Sequence, residues 1–215
     1  MIIKSILDLV YPRRCPFCRR ILDKKQLICR SCLTKLPFVP QARQAERVRN
    51  IEACYSTLYY EKSVRESLLR YKFNGAAAYA DAYAVLLAKC IEENGISCDI
   101  ITWVPLSRRR LRKRGYDQAR LLAEAAARHM GAPCEKLLRK TRNNPAQSGT
   151  ASAAARRENV RGVYAPVKPE EISGKTILIV DDIITTGSTL SECAKILKAE
   201  GAKKILALTL ARARD

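Results

Sequence analysis

Residues 177–189 read ILIVDDIITTGST, and this stretch decides the fold of the chain. The branched apolar run Ile177–Val180 predicts a strand that is buried on both faces, as in a parallel sheet. Two aspartates follow at its carboxyl end, and a Thr/Gly loop then leads into the helical spacing of Leu190–Leu197. The stretch therefore predicts a strand–loop–helix unit of an open α/β sheet, in which ligands bind outside the carboxyl ends of the strands.

The two halves of this unit suit different parts of one ligand. The loop would present backbone N–H groups and hydroxyls at a helix N-terminus, which favours a phosphate. Asp181 and Asp182 would repel that phosphate but suit sugar hydroxyls, as the acidic residue of dinucleotide-binding folds does. A diol beside a phosphate describes a ribose 5-phosphate. The sequence contains neither G-x-x-x-x-G-K-[ST] nor G-x-G-x-x-G, so P-loop and dinucleotide chemistry are not indicated.

The same stretch resembles the phosphoribosyl diphosphate (PRPP) binding motif of type I phosphoribosyltransferases. The resemblance implies that the acidic pair, Asp181 and Asp182, holds the ribose 2- and 3-hydroxyls. It also implies that a TTGxT loop holds the 5-phosphate, a role that falls on Thr185, Thr186, Gly187, Ser188 and Thr189.

A second predicted strand, residues 98–104, ends in a turn that is followed by six arginines and lysines. In type I phosphoribosyltransferases such a turn meets the pyrophosphate, so the resemblance assigns that contact to Pro105, Leu106, Ser107, Arg108 and Arg112. Arginine forks match phosphate oxygens bidentately. Most charge runs, however, are solvated basic faces, and the sequence leaves both interpretations open.

Composition and charge restrict the class of partner. The chain has 215 residues, 47% of them apolar, which is enough to bury a sizeable core in one large domain or one domain plus a small module. Its formal net charge of +19 favours nucleic acid, phosphorylated ligands or an anionic surface as partner. From Arg108 to Arg161 there are 15 basic and four acidic residues, a net of +11. More than half of the excess charge therefore lies in one quarter of the chain.

Four of the nine cysteines form two C-x-x-C knuckles, Cys15–Cys18 and Cys29–Cys32. Two such knuckles can place four thiolates tetrahedrally around Zn²⁺, and a closed site of four cysteines is structural. A pair of disulfides and a redox centre are the alternatives; the expected cytosolic context disfavours disulfides, and a redox centre does not need two knuckles. We expect loss of zinc to unfold this module and leave the rest folded. The other cysteines are expected to be small buried hydrophobes.

The start of the chain predicts no signal peptide. Its first ten residues are interrupted by Lys4 and Asp8 and predict a short amphipathic helix instead. No apolar run approaches the length that crosses a bilayer. We therefore expect a cytoplasmic protein.

The order of the motifs and predicted elements along the chain predicts two domains, a zinc-binding module over 1–45 and a phosphoribosyltransferase-like domain over 46–215. Pro37 and Pro40 mark a break, and the polar segment 41–50 is predicted to be a linker. Predicted strands lie at 53–60, 98–104, 134–139, 175–180 and 204–210, and predicted helices at 63–73, 76–92, 117–130 and 189–200. Strands alternating with helices predict an open parallel sheet flanked by helices. Residues 142–161 predict a long basic loop that could contain a short helix at 152–157.

Further short segments narrow the family. They are Tyr71–Gly75, Val104–Leu106 with Arg108, Arg114–Ala119, Gln147–Gly149, Arg156, Asn159–Val160 and Ala211–Arg212. With the terminal motif and the zinc knuckles they resemble the ComF family of competence-associated phosphoribosyltransferase-like proteins over nearly the whole chain. The resemblance implies a zinc module fused to a PRPP-type fold, and a link to single-stranded DNA uptake with other competence proteins as partners. Departures from the family pattern stand at Tyr116, Asp117, Asn144 and Thr150, where Phe, Asn, Thr and Leu are usual.

Two functions are compatible with these residues. In the first, the chain is a PRPP-binding protein that handles single-stranded DNA during uptake. Candidate stacking platforms for the bases are Tyr59, Tyr60, Tyr71, Tyr116 and Tyr164, although scattered tyrosines are more often packing residues. In the alternative, it is an active phosphoribosyltransferase of nucleotide salvage or metabolism. Mg²⁺ and basic residues would then bind the leaving pyrophosphate, and Asp181 or Asp182 would act as the catalytic carboxylate that stabilises an oxocarbenium-like state.

Overall fold

The computed structural model describes residues 12–23, 26–142 and 160–214. The strands are β1 Ala45–Val48, β2 Ile51–Tyr59, β3 Ile100–Trp103, β4 Leu138–Lys140, β5 Tyr164–Pro166, β6 Thr176–Ile184 and β7 Lys204–Arg212. The helices are α1 Arg30–Leu33, α2 Gln41–Gln44, α3 Lys62–Phe73, α4 Tyr79–Glu93, α5 Arg108–Arg114, α6 Gln118–Met130 and α7 Ser188–Ala199, with a 3₁₀ turn at Pro169–Glu171. Several sequence predictions fall outside the described residues: the N-terminal helix, most of the 142–161 loop, and the positions Asn144, Gln147–Gly149, Thr150, Arg156 and Asn159.

Five strands form one sheet in the order β1-β2-β7-β6-β3. The four strands from β2 to β3 run parallel, and β1 pairs antiparallel with β2 at the edge. The predicted open, mostly parallel sheet flanked by helices is confirmed. Since β6 is covered on both faces, its residues alternate between two cores: Leu178 and Val180 belong to one apolar cluster, and Ile177 and Ile179 to the other.

The segment 41–50 is not a linker, contrary to the prediction. It forms α2 and β1, and β1 pairs with β2 through Ala45 opposite Tyr55 and Val48 opposite Ile51. Gln44 is only 2% exposed and donates to the carbonyl of Val39 at 3.2 Å. The polar composition was misleading because an edge strand keeps alternate side chains in solvent.

The predicted strand over 134–139 is largely wrong. Cys134 makes a single parallel bridge to Ile101, and the strand proper begins only at Leu138. This strand, β4, leaves the main sheet and pairs antiparallel with β5, so the two form a separate two-stranded sheet. Arg139 lies opposite Ala165 in that pair.

The cysteine module packs directly on the helices that follow it. Phe17 is buried in the same apolar cluster as Tyr83 of α4, with their ring centroids 6.2 Å apart. Arg70 of α3 donates to the carbonyl oxygens of Pro16 at 2.8 Å and Phe17 at 3.3 Å. The first knuckle is therefore tied to α3 by hydrogen bonds as well as by apolar contact.

Among the described residues, none of the helices combines the length and the apolar character of a bilayer-spanning segment.

Candidate functional site

The acidic pair lies near the carboxyl end of β6, a strand that continues through it to Ile184. Asp181 stands in register with Thr209 of β7, and Asp182 is only 7% exposed. The Nζ of Lys72, near the end of α3, lies 2.8 Å from an oxygen of Asp182. A buried carboxylate needs such a partner, because an unpaired charge in that position is strongly disfavoured.

The surroundings of Asp181 strongly perturb the pKa of its carboxyl group. Burial raises the pKa of its carboxyl, and the neighbouring charge of Asp182 raises this pKa further. Two contributions act the other way: the positive charge of Lys72, and the backbone N–H of Asp182, which donates to Asp181 at 2.8 Å. The raising contributions prevail, so the fold itself opposes the charged form of Asp181.

The loop after β6 joins the strand to α7 as the sequence predicted. Thr185 and Thr186 are exposed, and the hydroxyls of Thr186 and Ser188 lie 2.8 Å apart. Gly187 occupies the N-cap position of α7 with a φ of 67°, and no side chain within the described part of the chain caps this end. A helix N-terminus without a cap leaves backbone N–H groups and a positive dipole end for an anion. Thr189 lies in the first turn of this helix.

Gly187 is restricted by the protein itself. A Cβ at this position would lie 2.9 Å from Cγ1 of Val48 on β1. The positive φ adds strain for any residue with a side chain. Strand β1, which the sequence did not predict, therefore packs against the loop that follows β6.

The turn after β3 lies beside the acidic pair, because β3 and β6 are parallel neighbours. Trp103 stands in register with Val180, and Val104 donates to the carbonyl of Val180 at 3.1 Å. Pro105 and Ser107 are buried, and the backbone N–H of Leu106 donates to a carboxylate oxygen of Asp117 at 3.0 Å.

Asp117 is a structural residue of this turn. Its other oxygen accepts from the N–H of Arg120 at 3.3 Å, which caps α6. Burial raises the pKa of this carboxyl, and the charge of Asp182 also raises it. The usual asparagine would present one carbonyl oxygen for the same two bonds. Aspartate at this position therefore accepts both bonds and adds a carboxyl group near the acidic pair.

The arginine run forms the helix α5, which the sequence did not predict. Ser107 caps it by accepting from the N–H of Arg110 at 3.4 Å. Four of its cations are exposed: Arg108, Arg109, Arg112 and Lys113. Arg114 is half-buried, with its guanidinium 4.9 Å from the ring centroid of Phe73 and 2.8 Å from the side-chain oxygen of Gln118. The structure thus places the proposed pyrophosphate residues at the same sheet edge as the acidic pair, with Arg108 and Arg112 in solvent.

Two lysines near the acidic pair were not identified as site residues from the sequence. Lys72 falls inside one of the family segments, so its position contained a signal. Lys140 of β4 had none, since its place depends on how β4 packs. Its Nζ lies 5.3 Å from the ring centroid of Tyr164. Burial lowers the pKa of Lys140 to about 8, and Arg110 lowers it further, while the charge of Asp181 acts in the opposite direction.

The candidate stacking tyrosines divide into two groups. Tyr71 and Tyr164 are buried, which removes them as platforms for a base. Tyr59, Tyr60 and Tyr116 are half-buried. The hydroxyl of Tyr116 donates to the carbonyl of Tyr71, so Tyr116 also has a packing role.

The four knuckle cysteines converge. Their Sγ atoms all lie within 4.8 Å of one another, and those of Cys18 and Cys29 are 3.6 Å apart. Zn–S bonds of about 2.3 Å in a tetrahedron separate the sulfurs by about 3.8 Å. All nine cysteines are free thiols, so the four knuckle cysteines do not form the alternative pair of disulfides. The cluster fits a structural Zn²⁺ held by Cys15, Cys18, Cys29 and Cys32.

Two family models match this chain. Residues 117–215 match the model described as "Phosphoribosyl transferase domain", and this range contains the acidic pair and the loop. Residues 6–45 match the "Double zinc ribbon domain", and the four knuckle cysteines all lie in this range. Four cysteines are enough for one tetrahedral site. The N-terminal cysteine cluster is thus a zinc ribbon, and the sheet has the type I phosphoribosyltransferase fold.

Curated relatives match much of the same chain. Competence protein F of Haemophilus influenzae is 37% identical over 112 residues, which is 51% of this chain and 48% of that protein. Competence protein ComFC of Bacillus subtilis is 28% identical over 97% of this chain and 82% of its own length. DNA utilization protein YhgH of Salmonella typhimurium is 27% identical over 92% of this chain and 89% of its own length. The chain thus spans about half the length of the Haemophilus relative and most of the other two.

Proposed function

Because this chain belongs to the ComF-type family of phosphoribosyltransferase-like proteins, we propose that it binds PRPP and handles single-stranded DNA during DNA uptake. The names of its relatives, which refer to competence and to DNA utilization, support the cellular role. The geometry of the site supports PRPP as the ligand.

One observation carries the PRPP part of the proposal. Parallel neighbours β3 and β6 bring the turn Pro105–Ser107, the acidic pair and the loop 185–189 to one edge of the sheet. Hydroxyls of a ribose would donate to Asp181 and Asp182, and the 5-phosphate would lie on the uncapped N-terminus of α7. The pyrophosphate would face the turn and the cations Arg108 and Arg112.

Magnesium would accompany PRPP, since hard oxygen donors are present in the carboxylates of Asp181 and Asp182. When bound, Mg²⁺ supplies charge neutralisation at the pyrophosphate. The protein's own residues orient the ligand: Lys72 fixes Asp182 through the 2.8 Å ion pair, and the backbone N–H of Asp182 fixes Asp181 by donating to its carboxyl group.

Calorimetry of PRPP binding with Mg²⁺ tests this site. We expect Asp181→Asn with Asp182→Asn to weaken binding at least about a hundredfold, because both carboxyl groups that would accept from the diol are lost. Glu52→Gln is the matched control. This exposed carboxylate at the start of β2 lies at the opposite, amino edge of the sheet and contacts Lys204 at 3.5 Å. Equal affinity in the double variant and in the control would exclude the site.

The DNA part of the proposal rests on charge. The exposed cations of α5 lie next to the site, inside the segment of net charge +11. Such a surface binds phosphates without reading sequence.

Transferase turnover is the second candidate, and the placement of Lys140 favours it. The β4–β5 pair brings a cation within electrostatic reach of Asp181, where an anionic acceptor would be held. In such a reaction the acceptor nucleophile bonds to the anomeric carbon as the bond from that carbon to pyrophosphate breaks. Asp181 or Asp182 would stabilise the positive charge that develops on the sugar during this exchange. Pyrophosphate release from PRPP, measured with free bases and with single-stranded DNA, tests turnover. No release with any acceptor would leave a binding protein.

A further inference from the structure

Phe73 is the last residue of α3 and is 60% exposed, more than any other large apolar side chain among the described residues. A single exposed apolar residue is common in proteins and carries no meaning by itself. The exposure of Phe73 is significant because of the cation that its ring contacts and because of where the ring lies.

The ring has a fixed cationic partner. The Arg114 guanidinium lies 4.9 Å from its centroid, within the range of a cation–π contact. Arg114 is held in turn by Gln118, which is 2% exposed and whose carbonyl accepts from the hydroxyl of buried Tyr71 at 3.0 Å. The ring and the guanidinium are thus held together, and Phe73 remains 60% exposed despite this contact.

The ring stands at the junction of two charged regions. Lys72, the residue before it, contacts Asp182 at 2.8 Å, so the end of α3 that carries Phe73 lies beside the acidic pair. Arg114 is the last residue of α5, whose exposed cations continue away from the ring. A ligand with a planar aromatic group and several phosphates would contact both features at once.

We infer that Phe73, backed by Arg114, stacks a base of single-stranded DNA beside the acidic pair while the strand's phosphates follow α5. The inference rests on the proposed DNA binding. A strand suits the surface better than a free base does, because the adjacent cations would have no partner in a free base. Base–aromatic stacking tolerates any base, in keeping with binding that does not read sequence.

The test compares oligo(dT) with an abasic strand of equal length, which keeps the phosphates and lacks the bases. Wild type is expected to bind oligo(dT) more tightly, and Phe73→Leu to lose at least about fivefold of that preference. The salt slope should not change, because no phosphate contact is removed. Val85→Ala, which trims a 51% exposed apolar side chain on α4, is the control and should behave as wild type.

Fluorescence gives a second measurement. The chain has one tryptophan, Trp103, which is buried, so Phe73→Trp adds an exposed reporter whose emission oligo(dT) should quench and the abasic strand should not. Wild type that binds DNA, with Phe73→Leu keeping the full preference or Phe73→Trp showing no quenching, overturns the inference and leaves the DNA proposal standing. Loss of PRPP binding alone in Phe73→Leu also overturns it. Wild type that binds neither strand removes the DNA proposal and the inference together.

Discussion

At the scale of the residue, the fold disfavours the charged form of Asp181. Because its folded pKa lies above the ordinary value of an aspartate, the folded state holds this proton more tightly than the unfolded state. Between those two pKa values the free energy of unfolding falls as pH rises, and above them the loss is complete. We predict that Asp181→Asn, which has no charge to oppose, raises the free energy of unfolding at pH 9 by about 1–2 kcal/mol and changes it little at pH 4.

Urea unfolding at pH 4, 7 and 9 measures this effect. Asp99→Asn is the control, because Asp99 is exposed and an amide oxygen can still accept from the N–H of Thr176 as the carboxylate does at 2.7 Å. An Asp181→Asn variant no more stable than wild type at pH 9 would contradict the prediction. Since the same change should also weaken PRPP binding, stability and function are expected to move in opposite directions.

At the scale of the element, α5 presents two pairs of cations, which we expect to bind different ligands. Arg108 and Arg112 are four residues apart and share one helix face, while Arg109 and Lys113 share the next. We predict that Arg109→Ala with Lys113→Ala flattens the slope of log affinity for single-stranded DNA against log salt by about 1.4, at about 0.7 for each lost phosphate contact. Arg108→Ala with Arg112→Ala should instead weaken PRPP binding.

A salt titration of both double variants with both ligands checks this division. An unchanged DNA slope in Arg109→Ala with Lys113→Ala would show that this face is merely solvated. If either double variant weakens both ligands equally, the two faces do not act separately.

At the scale of the whole molecule, the zinc ribbon and the sheet share one core. The sequence suggested that zinc loss would unfold the ribbon alone, but Phe17 packs on Tyr83, and Arg70 ties the first knuckle to α3. Arg70 lies two residues before Lys72, the partner of Asp182. We therefore predict that chelation, or Cys29→Ser, lowers the melting temperature of the entire chain and weakens PRPP binding.

Calorimetric melting and PRPP titration measure the two effects, with Cys98→Ser as control because that half-buried thiol lies outside the cluster. A separate low-temperature transition, followed by a domain of unchanged melting temperature and unchanged PRPP affinity, would restore the independent module.

The parts of the fold and of the site that depend on neighbouring residues in the sequence were predictable from local patterns. Ile177–Val180 and its loop were predictable because burial on both faces requires a continuous apolar run. β1 was missed because its polar residues resemble a loop, and α5 because six cations leave no apolar period. The ion pair of Lys72 with Asp182 and the position of Lys140 within the electrostatic influence of Asp181 join distant parts of the chain, and no local period encodes them.

The contact between Gly187 and Val48 limits how this protein can diverge. If the ribbon and the transferase-like domain met only through a linker, homologues could exchange them as separate domains. The crossover could then lie anywhere in the linker. Here the segment that contains Val48 follows the ribbon and lies against the loop at Gly187, 139 positions later. A chimera joined at residues 49–50 would take Val48 and Gly187 from different parents, whereas a crossover before Pro37 would keep the two matched.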